Sequence, residues 1–136
     1  MNGESIGDVE DLLVEDLVQH VEGKFRLGTT RDKRALMGVS AGGFGAMKIA
    51  MRHPNVFGAV ATHSAAILPA DPDELAGSSE RTVMRFLRGS LREQLGDPID
   101  KDKWARQMPM GLVALKKPAD FKGLQLYFDA GTDDHY

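Results

Sequence analysis

The sequence predicts an α/β fold in which parallel strands are joined by helical crossovers, and three observations carry that expectation. Short apolar runs of strand length recur at residues 34–39, 56–62 and 124–128. Helical periodicity occupies residues 9–21 and 41–53, before and between them. The connections are too long for hairpin turns and long enough for crossovers.

Val9, Leu12, Leu13, Leu17 and Val21 stand at helical spacing, flanked by Asp11, Glu15, Asp16 and Glu22. This is an amphipathic helix with Gly23 as its expected stop. A loop with Gly28, Thr29 and Thr30 follows. Residues 34–39 (RALMGV) have the length and composition of a buried strand. The next helix starts at about Ala41 and should bury Phe44, Met47, Ile49 and Met51. Pro54 closes it, and Arg52 and His53 lie near its C-terminus, where the helix dipole favours positive charge. Residues 56–62 (VFGAVAT) read as a second strand. From 70 to 118 the character changes, with Pro72, Gly77, Ser78 and Ser79 breaking the chain and short helices expected at about 80–95 and 101–107. Residues 124–128 (LQLYF) form the third strand and run into Asp129.

Composition narrows the function classes. A chain of 136 residues makes one domain at most. The formal net charge is -3, with both signs scattered, which argues against nucleic acid as partner because phosphate binding needs a basic face. Arg81, Arg85, Arg88 and Arg92 recur at helical spacing and read as a solvated helix face. With no cysteine there are no disulfides and no thiolate metal sites. No apolar run approaches the ~20 residues of a membrane span. Residues 1–10 are polar and acidic, unlike a signal peptide.

One motif carries chemistry. Gly38-Val39-Ser40-Ala41-Gly42 is G-x-S-x-G, followed by Gly43, and it sits where a strand ends and a helix begins. That context defines a nucleophile elbow. The sharp turn forces the serine into a strained backbone region, and side chains on its neighbours would collide, so glycine is expected on both sides. The serine hydroxyl then stands above the C-terminal edge of the sheet, over a helix N-terminus that favours negative charge. The N–H of Ala41 is the expected oxyanion donor.

An activated serine needs a base, and the base needs an orienting acid. Asp129, Asp133 and Asp134 follow the third strand and are the candidate acids. The histidines are His20, His53, His63 and His135. His20 lies on the first helix, and His53 ends the elbow helix far from the serine hydroxyl. His135 follows the acids too closely to swing back onto Ser40. His63 precedes the acids, although it ends the neighbouring strand on the same edge. Each reads as a surface or loop histidine. Asp133, Asp134 and His135 are adjacent, and adjacent residues converge poorly on one ion, so no metal and no cofactor is expected.

Residues 34–64 (RALMGVSAGGFGAMKIAMRHPNVFGAVATHS) resemble the elbow segment of an esterase family of α/β-hydrolases. That group includes esterase D, S-formylglutathione hydrolase, feruloyl and acetyl-xylan esterases, and the mycolyltransferases. The double glycine after the serine, His53-Pro54 closing the helix and Phe57-Gly58-Ala59 are typical. Leu95-Gly96-Asp97-Pro98 with Trp104 and Pro109 resembles the family's insertion. Residues 127–134 (YFDAGTDD) resemble the segment that ends in the catalytic acid. The resemblance implies a partial α/β-hydrolase fold with Ser40 as nucleophile and Asp134, the last residue of D-x-G-x-x-D, as acid, with Asp133 in reserve. It divides residues 1–136 into an elbow unit (33–64), a helical insertion (about 70–118) and an acid-bearing strand and loop (124–136).

The same resemblance implies that strands before the first helix, with the loop giving the second oxyanion donor, and a histidine-bearing segment after the acid are missing. A three-stranded remnant should leave strand edges and apolar faces uncovered, and the chain alone should be aggregation-prone. The expected activity is hydrolysis of a small-molecule or carbohydrate-linked carboxylic ester through an acyl-enzyme on Ser40. Acyl transfer to a sugar, as in mycolyltransferases, and a non-catalytic hydrolase-like binding protein are the alternatives. Met84, Phe86, Trp104, Met108 and Met110 are candidates for an apolar wall of the site, or for local core.

Overall fold

The computed structural model describes residues 9–77 and 93–134. The expected helix at 80–95 and the arginines at 81, 85, 88 and 92 lie outside that set, apart from residues 93–95, which are helical. The described residues open with α1 (Val9–Asp11), a π turn (Leu12–Asp16) and α2 (Leu17–Phe25). Next come β1 (Ala35–Val39), α3 (Ala41–Arg52) and β2 (Ala59–His63). The second part contains α4 (Lys101–Gln107), α5 (Pro109–Leu115) and β3 (Gln125–Asp129). The strands form one parallel sheet in the order β1-β2-β3. This is the α/β architecture expected of a partial hydrolase fold.

One face of the sheet is covered. Leu36 and Val60 turn toward Val14, Ala46, Ala50 and Phe57 and form a core with α3 and the first helical segment. Val14 is the residue the π turn sends inward, while Leu12 and Leu17 on either side stay exposed. A bidentate pair joins α2 to the start of β1, Arg34 Nε to Glu22 Oε1 at 2.5 Å and Nη2 to Oε2 at 2.9 Å. Below α3, buried Glu10 meets Arg52 Nε at 3.0 Å, His53 Nε2 at 2.7 Å and Lys48 Nζ at 3.6 Å. That cluster ties α1 to the C-terminal half of α3.

The other face lies open. Met37 pairs in register with Ala61 and Tyr127, and Met37 is 83% and Tyr127 60% exposed. β3 is exposed along its whole length, so Phe128, on the opposite face from Tyr127, is also 64% exposed.

Three local expectations change. Gly23 does not stop the first helix. The stop is Arg26, in the left-handed conformation at φ 52°, and the N–H groups of Arg26 and Leu27 both reach the carbonyl of Glu22. That closure is made by main-chain geometry onto one carbonyl and needs no glycine at position 23. The second strand begins at Ala59, not at 56, because Val56 and Phe57 turn back to bond the carbonyl of His53. Phe57 is apolar because it packs into the core from that turn. Beyond the helix expected at 101–107, the insertion holds α5, which starts at Pro109. Proline suits a first helical position, where its missing N–H is no loss.

Candidate active site

Ser40 sits between the last residue of β1 and the first of α3 at φ 53°, ψ -122°. Positive φ in a residue with a Cβ is strained and persists only where surrounding contacts enforce it. Those contacts are main-chain bonds. Ser40 N–H donates to the carbonyl of His63 at 3.0 Å, and the Ser40 carbonyl accepts from Phe44 at 3.0 Å and Ala66 at 3.2 Å. The elbow is therefore fastened to the helix it starts and to the chain leaving β2.

The glycines divide unequally. A Cβ on Gly38 would overlap the Gly42 carbonyl group and lie 2.7 Å from Gly43 N. A Cβ on Gly43 would lie 2.8 Å from the Ala65 methyl and 3.1 Å from the Gly38 carbonyl oxygen. A Cβ on Gly42 would meet nothing outside its own helix. The close approach thus falls on Gly38 and Gly43, and the expectation that Gly42 makes room for the turn is not supported. The reason is the helical direction at 42, which carries that Cβ away from β1 and β2.

Ser40 and Ala41 are both exposed at this edge. Ala41 is the first residue of α3, so its N–H has no partner within the helix.

Among the candidate acids, Asp129 is already engaged. It ends β3 opposite His63, and its Oδ1 lies 2.5 Å from His63 Nδ1. Its Oδ2 accepts from the Tyr127 hydroxyl at 3.1 Å. The His63 hydrogen bond, helped by that of Tyr127, holds the Asp129 carboxyl below the usual carboxylate range. In return the Tyr127 phenol is pushed up by its bond to Asp129. Asp134 stands half-buried in a turn closed by its N–H on the Gly131 carbonyl at 3.0 Å. Ser40, His63 and Asp129 therefore reach the same sheet edge, and the 129–134 loop leaves from there.

The other histidines are elsewhere. His20 is exposed on α2. His53 caps the far end of α3, roughly 18 Å from the elbow by helical rise, where it bonds Glu10. His135 lies outside the described residues. His63 is more than a loop histidine, since its backbone serves Ser40 and its ring serves Asp129. The sequence showed that it ends the strand beside the elbow. What it could not show was the register that sets it opposite Asp129.

The apolar-wall candidates separate as well. Trp104 and Met108 are 0% and 1% exposed and pack with Leu68 and Leu95 as local core, the Trp104 indole N–H donating to the Pro69 carbonyl at 3.0 Å. Phe44, on the first turn of α3, packs against that cluster and links the insertion to the elbow. Met110 is half exposed, and Met84 and Phe86 lie outside the described residues. A groove of about 520 Å³ between α2 and β1, lined by Leu17, Val21, Leu27 and Phe57, holds none of the candidate site residues. Among the described residues no group of three His, Cys, Asp or Glu side chains could hold a metal, and no helix is long and apolar enough to cross a membrane.

Two solved structures share this arrangement of elements. One is an S-formylglutathione hydrolase from Agrobacterium tumefaciens, with 20% identity and a TM-score of 0.61 over 93% of this chain and 49% of that one. The other is MPT51 from Mycobacterium tuberculosis, with 18% identity and a TM-score of 0.52 over 88% of this chain and 43% of that one. At such identities the likeness is one of fold. The chain spans about half the length of these solved relatives or less. No curated protein matches the sequence. The family model described as "Putative esterase" matches residues 3–136. With nearly its whole length matched, and with a strained serine between strand and helix, the chain belongs to that esterase family.

Proposed function

We propose that this chain carries the nucleophile and the acid of a serine carboxylic-ester hydrolase acting through an acyl-enzyme on Ser40. The observation that carries the reading is the backbone of Ser40, held at positive φ between β1 and α3. Family membership supports ester hydrolysis in general. In the proposed reaction Ser40 Oγ attacks the ester carbonyl carbon while a histidine takes its proton. The developing oxyanion is met by Ala41 N–H. The carbon–oxygen bond to the alcohol then breaks, the histidine returns the proton to the departing alcohol, and water hydrolyses the acyl-enzyme by the same route.

Asp134 orients that histidine, with Asp133 in reserve. Asp129 instead bonds His63 and Tyr127 at the end of β3. The histidine and the second oxyanion donor come from sequence outside these residues, so the 136 residues alone are expected to be inactive. The substrate is a small-molecule or carbohydrate-linked ester.

The test is labelling of the full native protein with a fluorophosphonate, together with hydrolysis of a simple aryl ester. Ser40→Ala should abolish labelling and lower kcat by about 10⁴-fold or more. Normal hydrolysis by Ser40→Ala would remove Ser40 as nucleophile.

A further inference from the structure

His63 is placed to bind two parts of the site at once. Its carbonyl oxygen accepts from Ser40 N–H at 3.0 Å, so its backbone belongs to the elbow. Its ring Nδ1 lies 2.5 Å from Asp129 Oδ1, and Asp129 is the last residue of β3 and the first of the D-x-G-x-x-D segment. The next residue repeats the link in the main chain, where Ser64 N–H donates to the Asp129 carbonyl at 2.8 Å. Tyr127 holds the other carboxylate oxygen from within the same strand.

We propose that His63 is a positioning residue for the catalytic acid: through Asp129 it fixes the point and direction at which the 129–134 loop leaves the sheet, and so sets Asp134 relative to Ser40. This rests on Asp134 being the acid. The physical case is one of exposure and lever arm. β3 is exposed along its length and, among the described strands, flanks β2 alone, so packing does little to hold its end. The strand end is instead held by hydrogen bonds from His63, Ser64 and Tyr127. A small rotation of Asp129 is amplified over the residues that lead to Asp134. Catalytic geometry tolerates little of this, since a misplacement of about 1 Å can cost about 10²-fold in rate. His63 is exposed, with its side chain 63% accessible, so it holds the strand end without filling a core.

The experiment uses the full native protein and the variants His63→Ala, His63→Asn and His63→Gln. Asparagine keeps an N–H donor near the position of Nδ1, and glutamine carries it one methylene too far. Expected are a kcat lowered about tenfold in His63→Ala and His63→Gln with KM within about twofold, and recovery in His63→Asn. Amide exchange of residues 129–134 should rise in the first two variants and return to the parent level in the third. In an Asp134→Ala background, His63→Ala should cost nothing further, because an effect exerted through Asp134 vanishes with it.

Equal losses from His63→Ala with and without Asp134 would overturn the proposal. So would unchanged exchange in the loop, a result that does not depend on any activity. If Asp134→Ala keeps full activity while His63→Ala abolishes it, His63 and Asp129 are themselves the base and its acid, and the positioning role is wrong. Failure of the esterase reading shows separately, as a parent protein that neither labels nor hydrolyses. Loop exchange then still decides whether His63 holds the 129–134 segment.

Discussion

Around Ser40 the restraints are main-chain hydrogen bonds, whereas around Asp129 side chains add to them. The elbow has three backbone hydrogen bonds at one residue and glycines where Cβ atoms would collide. The helix it starts is buried on Ala46, Met47, Ala50 and Met51. β3 has the opposite character: it is exposed along both faces, and its last residue is secured by Ser64 N–H and by a histidine and a tyrosine that are themselves exposed. A nucleophile needs one unvarying geometry, and close backbone packing provides it.

The largest effect is expected on the open face. Met37, Val39 and Tyr127 leave an apolar surface with no helix over it among the described residues, so the 136-residue chain alone should self-associate and lack a sharp thermal transition. A stable monomer with a cooperative transition would mean that the open face needs no cover. The elbow comes next. Gly38→Ala should cost more than about 4 kcal/mol or prevent folding, because its Cβ would overlap backbone that cannot yield. Gly42→Ala should fold normally and serves as the control. Equal effects at the two positions would mean that the elbow is not limited by close approach at Gly38. Soluble yield and urea midpoint of the full native protein decide this.

A third prediction concerns the anchor of α3. Glu10 is 3% exposed. Burial pushes its carboxyl up, but the His53 hydrogen bond and the charges of Arg52 and Lys48 outweigh burial and hold it below its ordinary value of 4.5. Because the folded value is the lower one, this stabilisation is fully present above about pH 4.5 and is lost as pH falls through the depressed value. Glu10→Gln should cost about 3 kcal/mol at pH 7, since it leaves buried Lys48 without its counter-charge, and it should flatten the loss of stability in acid. An unchanged acid slope would show that Glu10 is not the group responsible.

The smallest effect is expected at Thr62, on the covered face of β2 beneath the elbow. It is 2% exposed, and its hydroxyl has no hydrogen-bond partner among the described residues. Thr62→Val keeps the shape and removes the unsatisfied oxygen, and should raise stability by about 1 kcal/mol. A loss of stability in urea denaturation would point to a partner for that hydroxyl.

What the sequence determined by itself is what depends on neighbours along the chain. The G-x-S-x-G run between an apolar strand and an amphipathic helix announces the elbow, because strain, glycine and helix start are all local. Strands at β1 and β3 and the helix at 101–107 follow from short-range periodicity. Other features required the tertiary structure. Arg26 rather than Gly23 ends the first helix, because hydrogen-bond closure outweighs the identity of one residue. Gly43 rather than Gly42 makes the close approach, because Ala65 arrives from beyond β2. Trp104 became core rather than pocket wall through the packing of the insertion on Phe44. His63 met Asp129 only because parallel pairing put the ends of β2 and β3 in register. Residues 66 positions apart carry no periodic signal of their contact, and only the sheet that joins their strands brings them together.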